Sequence, residues 1–401
     1  MKKNILFVDD DPNILDGIRR MLRPFREVYD LRFCENGDQA LQAMAEQPAD
    51  VVVSDMRMPG MDGAALLNAI QLHYPHAMRI MLSGQADDSA VLKTVTVAHQ
   101  FLAKPCAPER LKEVLARSAA LHGQLTNGHL KNLVTGIGTL PSLPSVYAKL
   151  QEKLKDPEAS LDGVAAIIEQ DIAMTAKLLQ LVNSSFFGLY RKVDRPARAV
   201  KLLGLDTIKV LVLNIQIFSE FRVPAQKAAL TRLWQHSMTV AHCSKRIAAE
   251  ACDNLELINN SFIASMLHDI GRLLLISHLG DDYARTLATA EKEGIRLELE
   301  EANRMQTTHA DIGAYLIGLW GFNSDIIEAI AFHHRLNLLE AEGFSAALAV
   351  HLADHAYYLS NPEELCGPPP PLDTAHLDRL GCREAAQEWL THSQSLMERD
   401  D

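Results

Sequence analysis

The stretch Val51–Gly63, Val-Val-Val-Ser-Asp-Met-Arg-Met-Pro-Gly-Met-Asp-Gly, constrains the fold more than any other part of the chain. Three consecutive valines lack the alternation of a half-exposed strand and predict one buried on both faces, as in a parallel sheet. The run delivers an acid, Asp55, to the strand's C-terminal end, and Pro59, Gly60 and Gly63 then break the chain before a helical pattern resumes near Ala64. Open α/β sheets bind their ligands in the crevice outside the strand C-termini. Taken alone, Asp55 could equally be an ordinary strand-end acid, so its surroundings decide.

Short apolar runs at 4–8, 31–34, 51–54, 79–83 and 100–103 alternate with amphipathic segments near 12–26, 37–46, 63–74, 87–97 and 108–121. Five strand-then-helix repeats predict an α/β domain over residues 1–122, a doubly wound five-stranded parallel sheet. Asp9, Asp10 and Asp11 follow the first strand, at the same sheet edge as Asp55. Crowded carboxylates repel one another unless a cation joins them, and Mg²⁺, a hard ion preferring oxygen ligands, meets that need. Ser83 and Lys104 close the fourth and fifth strands, placing a hydroxyl and an ammonium where an incoming phosphoryl group needs them.

With these positions filled, residues 3–120 resemble the receiver domain of two-component response regulators. The resemblance implies that Asp55 accepts a phosphoryl group from a sensor histidine kinase. It further implies that Asp9 (through water) and Asp10 hold Mg²⁺, helped by Asp55 and the backbone of Met56 or Arg57. Ser83 is then the switch hydroxyl, Phe101 the aromatic ring that turns with it, Lys104 the phosphate's ammonium partner, and Pro105 a cis proline.

A chain of 401 residues calls for two or three domains. Its net charge of −12 argues against a broad grip on nucleic acid or anionic membrane, and no helix-turn-helix signal supports direct DNA binding. Acids follow the N-terminus before any signal-peptide core could form, and no long uncharged apolar window suggests a membrane span, so a cytoplasmic protein is expected. Six cysteines without a CxxC pair fit reduced thiols.

The helix opening at Pro108 carries Leu111, Val114, Leu115, Ser118, Leu121 and Leu125 at a spacing near 3.5. That pattern suits either a homodimeric coiled-coil seam or simply the last helix of the first domain. Gly123, Gly128, Gly136 and Gly138 predict a loosened linker over 123–138. The prolines of Thr139–Pro144 then lead, in extended form, into an all-α domain over 139–360.

Leu140-Pro-Ser-Leu-Pro144, Ile168–Asp171, Leu181–Ser184 and Ala199–Gly204 resemble the HDOD domain of bacterial signalling proteins, itself HD-like. Further on come His236, His268-Asp269, His309, His333-His334 and Asp354. A mixed set of imidazoles and carboxylates suits Fe, Mn or Zn and can acidify a bound water for phosphoester hydrolysis. Their order is similar to the metal ligands of the HD phosphohydrolase superfamily, which implies these seven residues as ligands, with Asp269 as bridge. Arg272, one turn after His268, is placed to meet a phosphate.

Two departures bear on activity. The cyclic-dinucleotide phosphodiesterase branch follows His-His with Glu and a Gly-Tyr-Pro element, whereas this chain reads His333-His334-Arg335-Leu336-Asn337. Arg272 also stands where that superfamily carries lysine. Metal occupancy is therefore expected ahead of hydrolysis. The resemblance implies a phosphorylated regulator signalling to an unknown protein or nucleotide, the alternative being a phosphorylation-gated metal phosphohydrolase. Residues 361–401 supply a stiff spacer, Pro368–Pro371, and an amphipathic helix near 383–397 expected to dock back on the bundle.

Overall fold

The computed structural model describes residues 2–83, 96–122, 128–137, 140–142, 144–156, 158–183, 193–209, 212, 218–220, 227–339, 343–362 and 368–397. Within these, positions 83, 117–122, 129, 140–142, 144–145, 209, 218–220, 227–228 and 395–397 are described by their backbone alone. The helix expected over 87–97 falls almost wholly outside the described residues, as do most of the stretch beyond Lys209 and Gly367.

Five strands, β1 (Lys3–Val8), β2 (Tyr29–Cys34), β3 (Val51–Asp55), β4 (Met78–Ser83) and β5 (Gln100–Ala103), form one parallel sheet in the order β2-β1-β3-β4-β5. Every residue of β3 is buried, as its unalternating valines require. Helices α1 (Pro12–Leu22), α2 (Gly37–Glu46), α3 (Gly63–His73) and α4 (Pro108–His122) cover the sheet. Asp11, Asn36 and Asp62 cap the first three, each side chain accepting from a backbone N–H of the first turn. Leu111, Val114 and Leu115 of α4 are buried in this chain's own core, so the helix closes the first domain.

The glycines read as a loosened linker instead bracket a helix, α5 (Gly128–Gly136), with Leu130 and Val134 buried. A helical layer follows: α6 (Pro144–Lys155), α7 (Leu161–Ile168), α8 (Ile172–Val182) and α9 (Pro196–Lys209). Two three-residue strands, β6 (Leu140–Ser142) and β7 (Phe218–Glu220), pair beside it. The bundle proper comprises α10 (Lys227–Ala251), α11 (Leu255–Leu267), α12 (Ile270–Leu279), α13 (Asp281–Glu293), α14 (Leu297–Met305), α15 (His309–Leu319), α16 (Ser324–Phe332) and α17 (Ala346–Ser360). By length and composition Leu255–Leu279 could cross a membrane, but most of it is buried here as bundle core. Its backbone also leaves helical geometry at Asp269 (φ −99°, ψ 13°), just before α12 begins. In the tail, α18 (Thr374–Leu380) and α19 (Arg383–Met397) dock on the bundle, with Ala386 and Leu390 buried and Trp389 edge-on to Phe344.

The two halves share a polar seam at the N-terminal ends of β4 and β5. Arg79 is fully buried and donates to the carbonyls of Val97 (2.6 Å), Ala77 (3.2 Å) and Thr135 of α5 (2.8 Å). His99 accepts from the Arg79 backbone N–H at Nδ1, so its Nε2–H donates to Thr135 O at 2.8 Å. Gln180 of α8 donates to His99 O, and Gln100 donates to Leu319 O at the end of α15, both at 3.0 Å. Helix α8, buried at every position, also sends Lys177 over the Trp320 ring, 5.0 Å from its centroid. Burial lowers the Lys177 ammonium to about 7 and the Arg79 guanidinium to about 9.

Candidate functional site

At the C-terminal edge of the sheet, β1 delivers Asp9, β3 delivers Asp55 and β5 delivers Lys104. The Lys104 ammonium bridges the two carboxylates, 2.6 Å from Asp9 Oδ2 and in contact with Asp55 Oδ1. Burial acts against its charge, yet the bonds to Asp55 and Asp9 outweigh it and hold the ammonium above its usual range. Burial likewise pushes the Asp9 carboxyl up, opposed by Lys104 and the Asp11 amide. Asp55 Oδ2 accepts from the Arg57 N–H at 2.9 Å, which fixes the acid's orientation. Asp10 is exposed at the rim and lines a cavity of about 450 Å³ with Met56, Arg57 and Asp62. Asp9, Asp10, Asp55 and a backbone carbonyl form an all-oxygen set that fits Mg²⁺.

Gly63 makes this arrangement possible, because a Cβ there would lie 2.1 Å from the Asp55 carbonyl oxygen. Phe101 is buried, and the Lys104–Pro105 peptide is cis. Ser83 closes β4, and its hydroxyl lies outside what is described.

The second site lies in the bundle, where the ends of α11, α12, α15 and α16 meet the middles of α10 and α17. His236 comes from α10, His268 and Asp269 from the α11–α12 junction, and His309 from the first residue of α15. His333 and His334 follow α16, and Asp354 lies on α17. The ring of His236 meets His268 (Nε2 to Nε2, 3.1 Å) and Asp354 Oδ1 (3.2 Å). His309 Nε2 lies 3.2 Å from His334 Nε2 and 3.3 Å from Asp269 Oδ1. Asp269 Oδ2 faces the other way, 3.6 Å from His236 and 3.7 Å from His268. Its two oxygens therefore face two groups of imidazoles, as a bridging carboxylate's would. All seven residues expected from the sequence come together; His242, six positions after His236, is exposed and packs against Phe262.

The outer nitrogens explain why the inner ones point at each other. His268 Nδ1–H donates to Ser265 O (2.6 Å) and His333 Nδ1–H to Ile330 O (2.8 Å), leaving Nε2 lone pairs inward. Burial, then neighbouring rings, lowers His333 to about 3 and holds His334 well below the imidazole range, and burial lowers His268 against the pull of Asp269. His333 Nε2 is buried with no hydrogen-bond partner among the described residues. Buried lone pairs without donors are costly, and a metal ion is the group that such a mixed N/O set fits. Burial also opposes charge on Asp269, but Arg272, His268 and His309 hold its carboxyl well below the usual range.

Glu301 is the residue that the sequence did not suggest. Fully buried on α14, it accepts from both the backbone N–H and the Nδ1–H of His309, at 2.8 and 2.7 Å, and from Tyr283 OH at 2.6 Å. Against burial, Glu301 and Asp269 push His309 up to about 9. Helices α12 and α15 approach backbone to backbone at Gly271, where a Cβ would lie 1.9 Å from His309 O, while a Cβ on Gly313 would meet the Ile270 Cγ2 at 3.1 Å and Gly271 N at 3.3 Å.

Arg272 donates to Asp269 Oδ2 at 2.7 Å and, with Tyr358, lines a cavity of about 30 Å³ beside the histidines. Pro368 and Pro370 of the tail also line it, and its volume has room for an ion and a water or two. The tail is tied down next to the site. His355 Nδ1–H donates to Pro370 O at 2.8 Å, and His351 accepts from Asp373 N–H (3.1 Å) while donating to His333 O (2.7 Å).

Comparison with known proteins places a response regulator receiver domain at residues 5–116 and an HDOD domain at 140–336. The chain is 26% identical over 200 residues to an uncharacterized protein of Treponema pallidum, covering 50% of this chain and 38% of that protein. It is 30% identical over 152 residues to the DNA-binding transcriptional regulator NtrC of Escherichia coli, covering 37% of this chain and 32% of that one. The match thus spans under two fifths of these relatives' own length. Among solved structures, the MmoQ response regulator of Methylococcus capsulatus is 26% identical, covering 64% of this chain and 98% of that chain with a TM-score of 0.46. The signal receiver domain of an HD domain-containing protein from Pseudomonas fluorescens is 32% identical, covering 30% of this chain and 96% of that chain with a TM-score of 0.29.

Proposed function

We propose that this chain, which belongs to the response regulators joining a receiver domain to an HDOD domain, is a switch phosphorylated on Asp55 whose helical half holds a transition metal and signals to a protein or nucleotide partner. One observation carries the reading. Helix α15 begins with His309 among the site histidines and ends with Leu319, which accepts from Gln100 of the receiver sheet. A single rigid element therefore touches both halves of the switch.

In phosphoryl transfer, an Asp55 carboxylate oxygen attacks the phosphorus of the kinase's phosphohistidine. The P–N bond breaks, the acyl phosphate forms, and the released imidazole nitrogen takes up a proton. Mg²⁺, when held by Asp9, Asp10, Asp55 and the Arg57 backbone, supplies charge neutralisation for the phosphoryl oxygens. Lys104, freed from its bridge, pairs with the phosphoryl group, while Ser83 and Phe101 serve as the switch pair. In the bundle, Glu301 orients His309, and Ser265 and Ile330 carbonyls orient His268 and His333, toward an Fe, Mn or Zn ion.

Acetyl phosphate with Mg²⁺ is expected to phosphorylate the chain, and Asp55→Asn to abolish this. Beryllofluoride is expected to change hydrogen exchange in α15. Persistent acyl phosphate in the Asn variant, or unchanged exchange, would sink the reading. The second reading, a gated phosphohydrolase, is favoured by Arg272 beside Asp269 at the cavity. Turnover of a phosphodiester by the metal-loaded chain would establish it.

A further inference from the structure

A groove of about 820 Å³ lies at the free edge of the receiver sheet, and none of the residues expected in either site lines it. Its floor is β2, the first strand in the sheet order, with no strand on its outer side among the described residues. The register fixes which groups face out. Lys3 N donates to Val28 O and Asp9 N to Cys34 O, so the even-numbered residues of β2 bond inward to β1. The N–H and C=O of Leu31 and Phe33 therefore point along the open edge.

The walls are cationic. Arg19, Arg20, Arg23 and Arg26 stand exposed along α1 and the turn after it, and Arg32 is anchored by the carbonyls of Ala43 and Gln47. Arg19 lies 4.6 Å over the Phe33 ring and pairs with Asp16. Arg20 and Arg23 have no ion-pair partner among the described residues. Charge beside a strand edge can simply discourage aggregation. Here, however, the exposed arginines stand on the neighbouring helix rather than on the strand, and leave the edge open. Their concentration also runs against a chain of net charge −12.

We propose that this groove binds an acidic segment of a partner protein, added in extended form to β2. Backbone bonds to Leu31 and Phe33 would supply the grip, and carboxylates meeting Arg20 and Arg23 the selection. A duplex is too wide for a floor one strand across, whereas an extended peptide matches it.

The test uses the full chain and a fluorescein-labelled octapeptide alternating Asp and Val, read by anisotropy at low salt. Binding is expected to weaken at least tenfold in R20E/R23E, and equally when proline replaces the central valines, because proline cannot pair with a strand edge. Peptide binding should also slow amide exchange at Leu31 and Phe33. Retained phosphorylation of R20E/R23E by acetyl phosphate would show that the receiver remains folded. Absence of peptide binding, equal affinity for the proline peptide, indifference to R20E/R23E, or tighter binding of a single-stranded oligonucleotide of equal charge would each overturn the proposal.

Discussion

The side-chain amide of Gln100 donates to the backbone carbonyl of Leu319 at 3.0 Å, joining residues 219 positions apart in sequence. Gln100 opens the last receiver strand, and Leu319 ends the helix that begins at His309. Gly321 takes φ +77°, and a Cβ there would come within 3.1 Å of the Gln100 side chain. Gln100→Leu is therefore expected to destabilise the chain by about 1–2 kcal/mol, leaving a buried acceptor unmet. It should also blunt the response of α15 to beryllofluoride, as read by hydrogen exchange. A full response in this variant would remove the contact from the coupling route.

Glu301→Gln keeps the shape of the side chain but loses the charge that holds the His309 Nδ1–H. Metal affinity is expected to fall about 10–100-fold, measured by competition with a chelator. An unchanged affinity would exclude His309 as a ligand oriented through Glu301.

Gly63→Ala places a methyl carbon against the Asp55 carbonyl oxygen, which is backbone and cannot swing aside. Phosphorylation by acetyl phosphate should drop at least tenfold, with a lowered Tm, as a displaced acid loses its alignment. Gly17→Ala, on the same domain with open space around it, serves as the control and should be neutral in phosphorylation.

The Lys177 ammonium has its pKa lowered by burial, and then by Arg79, to about 7. The folded state thus binds fewer protons than the unfolded state between about 7 and 10.5, and stability must rise with pH across that window. Against Lys177→Met, the wild-type chain should gain on the order of 4 kcal/mol from pH 6.5 to pH 10 in denaturant titrations, with the variant's curve as baseline. Parallel pH profiles would mean that Lys177 stays charged throughout.

The periodic parts of this fold were legible from sequence because their signal is local. Unbroken valines mark β3, and the apolar stripe over 383–397 matches α19. The seven site residues were legible through their order along the chain. Glu301 was not, since Glu298-Leu299-Glu300-Glu301 reads as a solvated acidic face; only the packing of α14 against α13 and α15 buries it. The helix at 128–136 was hidden by flanking glycines, and Leu130 and Val134 take their order from tertiary burial rather than propensity. Arg79, His99 and Lys177 were silent for a related reason: their partners are mostly carbonyls and rings from distant segments.

The backbone contact of α12 with α15, between Gly271 and His309, has a mechanical consequence. Packed side chains can repack to absorb a small displacement, but two backbones in direct contact have no such slack. A push on either helix is handed to the other at nearly full amplitude. Asp269 precedes one helix and His309 starts the other, so the spacing between them is set by the crossing itself, like two jaws cut from one block. Any signal arriving along α15 would then displace both jaws together and alter their relation to His236 and Asp354, which stand on α10 and α17, leaving the gap between Asp269 and His309 unchanged.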